Sequence, residues 1–175
     1  VDCFLAALGG EKVPVSGKGP YFEDINAFYG LLDDGKTAVI EMAACAGLPL
    51  VEDRKDPRKT TTYGVGQLIL DAANRGVKKI IVGLGGSSTN DGGCGGTLHE
   101  IESIDLSGKA EVLNGIEIIT MCDIDNPMVG PTGAAHIFGP QKGADPEMVL
   151  LLEEGVKHLA EVIRRDLWKS LGDIP

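Results

Sequence analysis

Seven of the fourteen residues in 83–96 are glycine. Such a run cannot be the interior of a helix or strand, because glycine loses more backbone freedom on ordering than any other residue. It is a loop, and it follows directly on residues 77–84, a short apolar run of the type found in buried strands. Loops leaving the carboxyl ends of strands in open α/β sheets are where such folds place their ligands. The other loop residues carry chemistry: hydroxyls on Ser87, Ser88 and Thr89, an amide on Asn90 and a carboxylate on Asp91. Bare backbone permits close approach, and successive N–H groups can converge on phosphate or carboxylate oxygens. Gly85, Gly86, Ser87, Ser88, Thr89 and Asn90 are therefore candidate phosphate- or substrate-binding residues. Asp91 is a candidate metal ligand or proton acceptor. The competing explanation is a turn that merely lets a helix pack closely. Familiar loops do not account for the run: the chain has no Walker pattern and no nucleophile elbow, and Ser88 stands where a dinucleotide fingerprint needs its third glycine.

The rest of the chain reads as a layered α/β sheet with an antiparallel portion at its front. Residues 2–9 look like the tail of a helix stopped by Gly9 and Gly10, and residues 12–16 alternate like a short strand. Two β-type runs, 25–32 and 36–42, flank Asp33-Asp34-Gly35, a hairpin signal. The charged stretch 52–59 reads as a solvated loop. Thr60, Thr61 and Thr62 offer hydroxyl caps to a helix built on Val65, Leu68, Ile69 and Ala72 and stopped by Gly76. Residues 116–121 form a second buried-type strand. Asp145-Pro146-Glu147 opens a long helix with apolar positions Met148, Leu152, Val156, Leu159, Ile163 and Leu167, plus ion pairs Glu153–Lys157 and Glu161–Arg165.

Two further clusters carry polar groups. Asp123 and Asn126 follow the second core strand; if the two strands run parallel, they leave the same sheet edge as the glycine loop, although Asx residues before a proline also make ordinary turns. Gln141 and Lys142 precede the last helix, where a cation and helix N–H groups could hold an anion; an exposed turn lysine is the alternative. His99, His136 and His158 lack partners at ligand or triad spacing and read as structural, and Phe138 and Trp168 as core.

Charge narrows the partners. With 16 basic against 26 acidic residues the net charge is −10, and no basic stripe exists to grip nucleic acid. No apolar run nears the roughly 18–20 residues that span a bilayer. Four cysteines, Cys3, Cys45, Cys94 and Cys122, form no CxxC pair, so the reading is reduced thiols in a cytoplasmic protein.

Taken together, GLGGSSTNDGG (83–93), CDIDNP (122–127), GPTGAA (130–135) and FGPQKGA (138–144) strongly resemble the bacterial glycerate kinase family, type I. INAFYGLLDDGKTAVIEMAACAGL (25–48) and TTTYGVG (60–66) resemble it too, in the family's order. The resemblance implies transfer of the γ-phosphate of ATP to D-glycerate, with Mg²⁺, giving phosphoglycerate and ADP. It also implies a flavodoxin-like domain inserted into a restriction-endonuclease-like α/β domain, residues 1–175 being mostly the former. The family's flanking N- and C-terminal segments lie outside this sequence, and a helix and strand that the family carries between Gly96 and Thr97 are absent. On that reading Gly85 to Ser88 position phosphate or the glycerate carboxylate. Asp91 and Asp123 serve as metal ligand or general base, and Lys142 neutralises the transferring phosphoryl group. A non-catalytic anion-binding module and, further off, a dinucleotide-dependent oxidoreductase are the rival readings.

Overall fold

The computed structural model describes residues 1–90 and 95–169, so Asp91 and Cys94 lie outside the described residues. The chain divides into two compact units.

The first unit comprises Val1–Leu50, Thr62–Ser87 and Lys109–Cys122. Its five strands are β1 (Gly10–Lys18), β2 (Asp24–Leu32), β3 (Thr37–Glu41), β4 (Lys79–Gly83) and β5 (Glu117–Met121), and they sit in the sheet in chain order. β1, β2 and β3 pair antiparallel, whereas β3, β4 and β5 pair parallel. The predicted hairpin forms for a local reason. Asp34 accepts the amides of Lys36 and Thr37 at 2.7 and 2.8 Å and the Thr37 hydroxyl at 2.6 Å, while Gly35 takes φ +62°. These bonds, the Thr37 hydroxyl foremost, hold the Asp34 carboxyl below its ordinary value.

Alternation along β3 serves two layers. Ala38 and Ile40 join Tyr29, Ile80, Leu68 and Ala72 in the main core, whereas Val39 packs with Val1 and with Phe4 and Leu5 of the first helix. That helix is α1 (Asp2–Leu8); α2 (Ala43–Ala46) and α3 (Tyr63–Asn74) complete the unit. The Cys45 thiol lies in the main core, where burial pushes it up to about 11.

Two expectations fail in this unit. β5 is parallel to β4 as expected, but all five of its residues are exposed, Ile118 and Met121 by 48% each. Apolar composition made it resemble β4; burial needs a covering layer, and no other described strand pairs with its far side. Thr62 occupies the N-cap of α3 without a side-chain cap bond, because its φ of −97° and ψ of 12° depart from the extended geometry that aims a capping hydroxyl.

The second unit comprises Val51–Thr61, Ser88–Gly108 and Asp123–Pro175, described as far as Lys169. α4 (Ala134–Phe138) and α5 (Pro146–Leu167) are its helices, with 3₁₀ turns at Gly95–Glu100 and Pro140–Lys142. α5 starts as predicted: the Asp145 side chain accepts the Met148 amide at 2.8 Å and Pro146 follows it. Close packing against Gly95–Glu100 uses absent side chains. A Cβ on Gly95 would meet Leu152 Cδ2 at 2.5 Å, and one on Gly155 would meet Leu98 Cβ at 3.0 Å.

The face of α5 differs from expectation. Leu152 and Val156 are buried, but Val149, Val162 and the carboxylate residue Glu153 join them, whereas Met148, Leu159, Ile163 and Leu167 are only half-buried. Glu153–Lys157 forms at 3.1 Å; Arg165 instead binds its neighbour Asp166 at 2.6 Å and the Glu102 carbonyl. Trp168 is 91% exposed rather than core, since the chain leaves the helix there with a left-handed φ of 57°. The run 52–59 is largely exposed, although Pro57 is buried and Asp56 is half-buried against Arg58. Among the described residues no helix is long and apolar enough to cross a membrane.

Candidate functional site

The glycine loop divides between the units at Ser87. Its head belongs to the sheet. Parallel pairing sets Gly83 between Glu41 and Met121, so β3, β4 and β5 end together at their carboxyl edge. The loop is stitched to that edge by backbone bonds: Met42 N–H to Gly83 O at 2.8 Å, Leu84 N–H to Met121 O at 3.2 Å and Leu48 N–H to Gly86 O at 2.9 Å. Gly85 and Gly86 are exposed, and Ser87 is half-buried. Gly86 takes φ +72°, a conformation that side chains disfavour, but a Cβ on Gly85 would meet nothing within 4 Å. Packing therefore does not explain Gly85, whereas it does explain Gly95, where a Cβ would meet Leu152.

The loop's tail is built differently. Ser88, Thr89 and Asn90 are buried in the second unit, and each is gripped by a side-chain hydrogen bond. The Thr60 hydroxyl donates to the Ser88 carbonyl at 3.1 Å, the Lys142 ammonium to the Thr89 carbonyl, and Asn90 Nδ2 to the Ala134 carbonyl at 3.3 Å. The oxygen of the Asn90 amide is buried and accepts from no donor among the described residues. Buried acceptors without donors are uncommon, and they invite an account of what fills them.

Lys142 is thus neither an exposed turn lysine nor beside an open helix end. It is 8% exposed, with its ammonium 6.0 Å from the Phe138 ring centroid. The start of α5 is capped by Asp145 and followed by Glu147, so carboxylates stand where an anion would have to approach. Gln141 and Asp123 are exposed, and Asn126 donates from Nδ2 to the Thr132 carbonyl at 3.0 Å, closing its own turn. Asp91 lies outside the described residues. The structure thus brings Ser88, Thr89, Asn90 and Lys142 together within one unit and leaves Asp123 and Gln141 on its surface.

Sequence reading missed two members of this neighbourhood. Thr60 was counted as a helix cap, when it braces the loop tail. Glu153 was counted as a surface ion-pair partner, yet it is 3% exposed. Its signal was positional: four residues after Val149 and three before Val156, it stands on the apolar stripe of α5. Of the histidines, His158 Nε2 lies 2.8 Å from the Ile101 carbonyl, His136 faces Glu153, and the His99 side chain is half exposed.

A mixed sheet whose parallel strands end together at a glycine loop places the chain among α/β proteins. Comparison with known proteins narrows this. The sequence model of the glycerate kinase family matches residues 1–175, and the chain belongs to that family. It is 44% identical to the glycerate kinase of Bacillus cereus (strain ATCC 10987 / NRS 248), over 100% of this chain and 52% of the relative. It is 41% identical to the glycerate 2-kinase of Escherichia coli (strain K12), with the same coverage. A crystal structure from Salmonella typhimurium LT2 that carries the glycerate kinase 2 name superposes with a TM-score of 0.95 at 39% identity, over 99% of this chain and 52% of that one. The chain spans about half the length of the curated relatives it matches.

Proposed function

We propose that the protein carrying this chain is an ATP-dependent glycerate kinase, moving the γ-phosphate of ATP to D-glycerate and releasing phosphoglycerate and ADP. Family membership and the relatives' names support the activity. The observation that carries the site is the loop itself: exposed Gly85 and Gly86 lead into Ser88, Thr89 and Asn90, which are fixed by bonds to Thr60, Lys142 and the Ala134 carbonyl. Phosphoryl transfer is mainly positioning and charge stabilisation, so a catalyst needs donors held in place before the substrate arrives.

On this reading, Gly85, Gly86, Ser87 and Ser88 present backbone and hydroxyl groups to phosphate or to the glycerate carboxylate, with Thr89 and Asn90 behind them. Lys142, held under the Thr89 carbonyl, adds a fixed positive charge to a chain of net charge −10. Asp91 and Asp123 are each proposed as metal ligand or general base, with Asn126 and Gln141 as supporting polar residues. Magnesium arrives with ATP as part of the substrate and screens the phosphate charge. Among the described residues no three His, Cys, Asp or Glu side chains converge. A phosphate-bound magnesium does not require them, since it keeps several waters and takes one or two carboxylates. The exposed Asp123 carboxylate has the chemistry for that.

The finer fold reading, a flavodoxin-like domain inserted into a restriction-endonuclease-like one, is likewise a proposal about the longer protein. It is supported by the half coverage of the relatives. Alignment to the Bacillus cereus relative runs over 197 positions against this chain's 175, so that relative carries residues within the span which this chain lacks. A cytoplasmic site of action and a small-molecule substrate go with the activity. The test is a coupled assay for ADP on the complete protein. Turnover that depends on D-glycerate is the expected result; silence with D-glycerate but turnover with another hydroxy acid would overturn it.

A further inference from the structure

We propose that Glu153 is a positioning residue, which sets the orientation of Asn90 in the candidate site through the 130–134 turn. The proposal rests on the kinase reading for its functional consequence and on geometry for the rest. A carboxylate only 3% exposed has lost nearly all its hydration, a cost that the Gly130 amide and the Lys157 ammonium offset at Oε1. Oε1 of Glu153 accepts the Gly130 amide at 2.7 Å and lies 3.1 Å from the Lys157 ammonium, while Oε2 lies 3.5 Å from His136 Nδ1 and makes no hydrogen bond among the described residues. The carboxylate therefore ties α5 to the turn that precedes α4.

That turn transmits position because it has little freedom. Gly130 has φ +101°, which glycine tolerates and other residues resist. The Gly133 amide donates to the Gly130 carbonyl at 2.8 Å, and a Cβ on Gly133 would strike the Val129 carbonyl carbon at 2.6 Å. One residue further on, the Ala134 carbonyl receives Asn90 Nδ2. Fixing Gly130 fixes Ala134; fixing Ala134 fixes the plane of the Asn90 amide. The same constraint aims the buried Asn90 oxygen, which has no donor among the described residues.

The experiment compares Glu153→Leu and Glu153→Gln in the complete protein. Leucine keeps the volume and removes the acceptor; glutamine keeps an oxygen for the Gly130 amide while removing the charge. Three readouts are taken well below the melting temperature: kcat/KM with D-glycerate and MgATP, hydrogen exchange of the Gly130 amide, and the side-chain amide resonance of Asn90. Glu153→Leu is expected to lose on the order of 30-fold in kcat/KM, with faster Gly130 exchange and a shifted Asn90 resonance; Glu153→Gln is expected to stay within about threefold. Should the leucine variant not fold, Glu153→Asp, whose oxygens are retracted by one methylene, takes its place with the same expectations. A purely structural residue would lower the melting temperature while leaving kcat/KM and the Asn90 resonance in place, and that outcome overturns the proposal. Equal losses in the leucine and glutamine variants also overturn it. If the unaltered protein does not phosphorylate glycerate, the kinase reading falls. The exchange and resonance arms still decide whether Glu153 positions Asn90.

Discussion

The head and the tail of one glycine-rich loop are held by different physics. Gly85 and Gly86 sit at the end of a parallel sheet with little side-chain matter around them, Gly86 held by a backbone hydrogen bond from Leu48. Residues 88–90 are buried and gripped by Thr60, Lys142 and the Ala134 carbonyl. Glycines give access, and polar clamps give fixed geometry. A loop of glycines alone would approach a phosphate closely but hold no single shape, because its entropy would oppose ordering. A fully clamped loop would hold its shape but could not admit a bulky anion against the backbone.

The largest expected effect tests the clamp. Replacing Lys142 with Met keeps the length and removes the charge, leaving the buried Thr89 carbonyl without that donor. Losing one well-placed electrostatic donor lowers kcat/KM by about 10²–10³, and loss of that charged hydrogen bond costs about 1–3 kcal/mol in a denaturant titration. Next comes the head. Gly85→Ala has room for its methyl, so the unfolding free energy should move by less than about 0.5 kcal/mol. Turnover should fall on the order of tenfold if ligand oxygens approach that backbone. Unchanged turnover would remove the head from the site and leave the tail standing.

A smaller pair separates brace from cap. Thr60→Val should cost about 1 kcal/mol by loss of the Ser88 bond, whereas Thr62→Ala should stay within about 0.5 kcal/mol. A true helix cap at Thr62 would instead cost about 0.5–2 kcal/mol. The smallest effect concerns acid. Arg58 foremost, with Lys59, holds the Asp56 carboxyl at about 2, below its ordinary 3.8. A depressed folded value stabilises at pH above the ordinary one and loses that contribution as pH falls through about 2. Melting temperatures followed from pH 5 to pH 2 should therefore drop less in Arg58→Met than in the unaltered chain.

What the sequence disclosed was what neighbours in the chain decide. Asp33-Asp34-Gly35 makes its turn from its own side chain and φ, and Asp145-Pro146-Glu147 opens α5 from within four residues. What it hid depends on partners far along the chain. Thr60 finds Ser88 across 28 positions and Lys142 finds Thr89 across 53; no local pattern tells a bracing hydroxyl from a capping one. β4 and β5 look alike as strings, Lys-Ile-Ile-Val-Gly against Glu-Ile-Ile-Thr-Met, but one is interior to the sheet and the other is its border. Glu153 was the instructive error, because its helical partner Lys157 is real and says nothing about burial.

The sheet's order also has a consequence for how the first unit is made. Because spatial order follows chain order, each strand leaving the ribosome meets a neighbour that has already been synthesised. β1 to β3 close through short connections, where little loop entropy opposes pairing. β4 and β5 then join across longer separations, onto a template already in place. Growth by accretion spares every strand but the newest from waiting unpaired, and waiting unpaired is when strands aggregate.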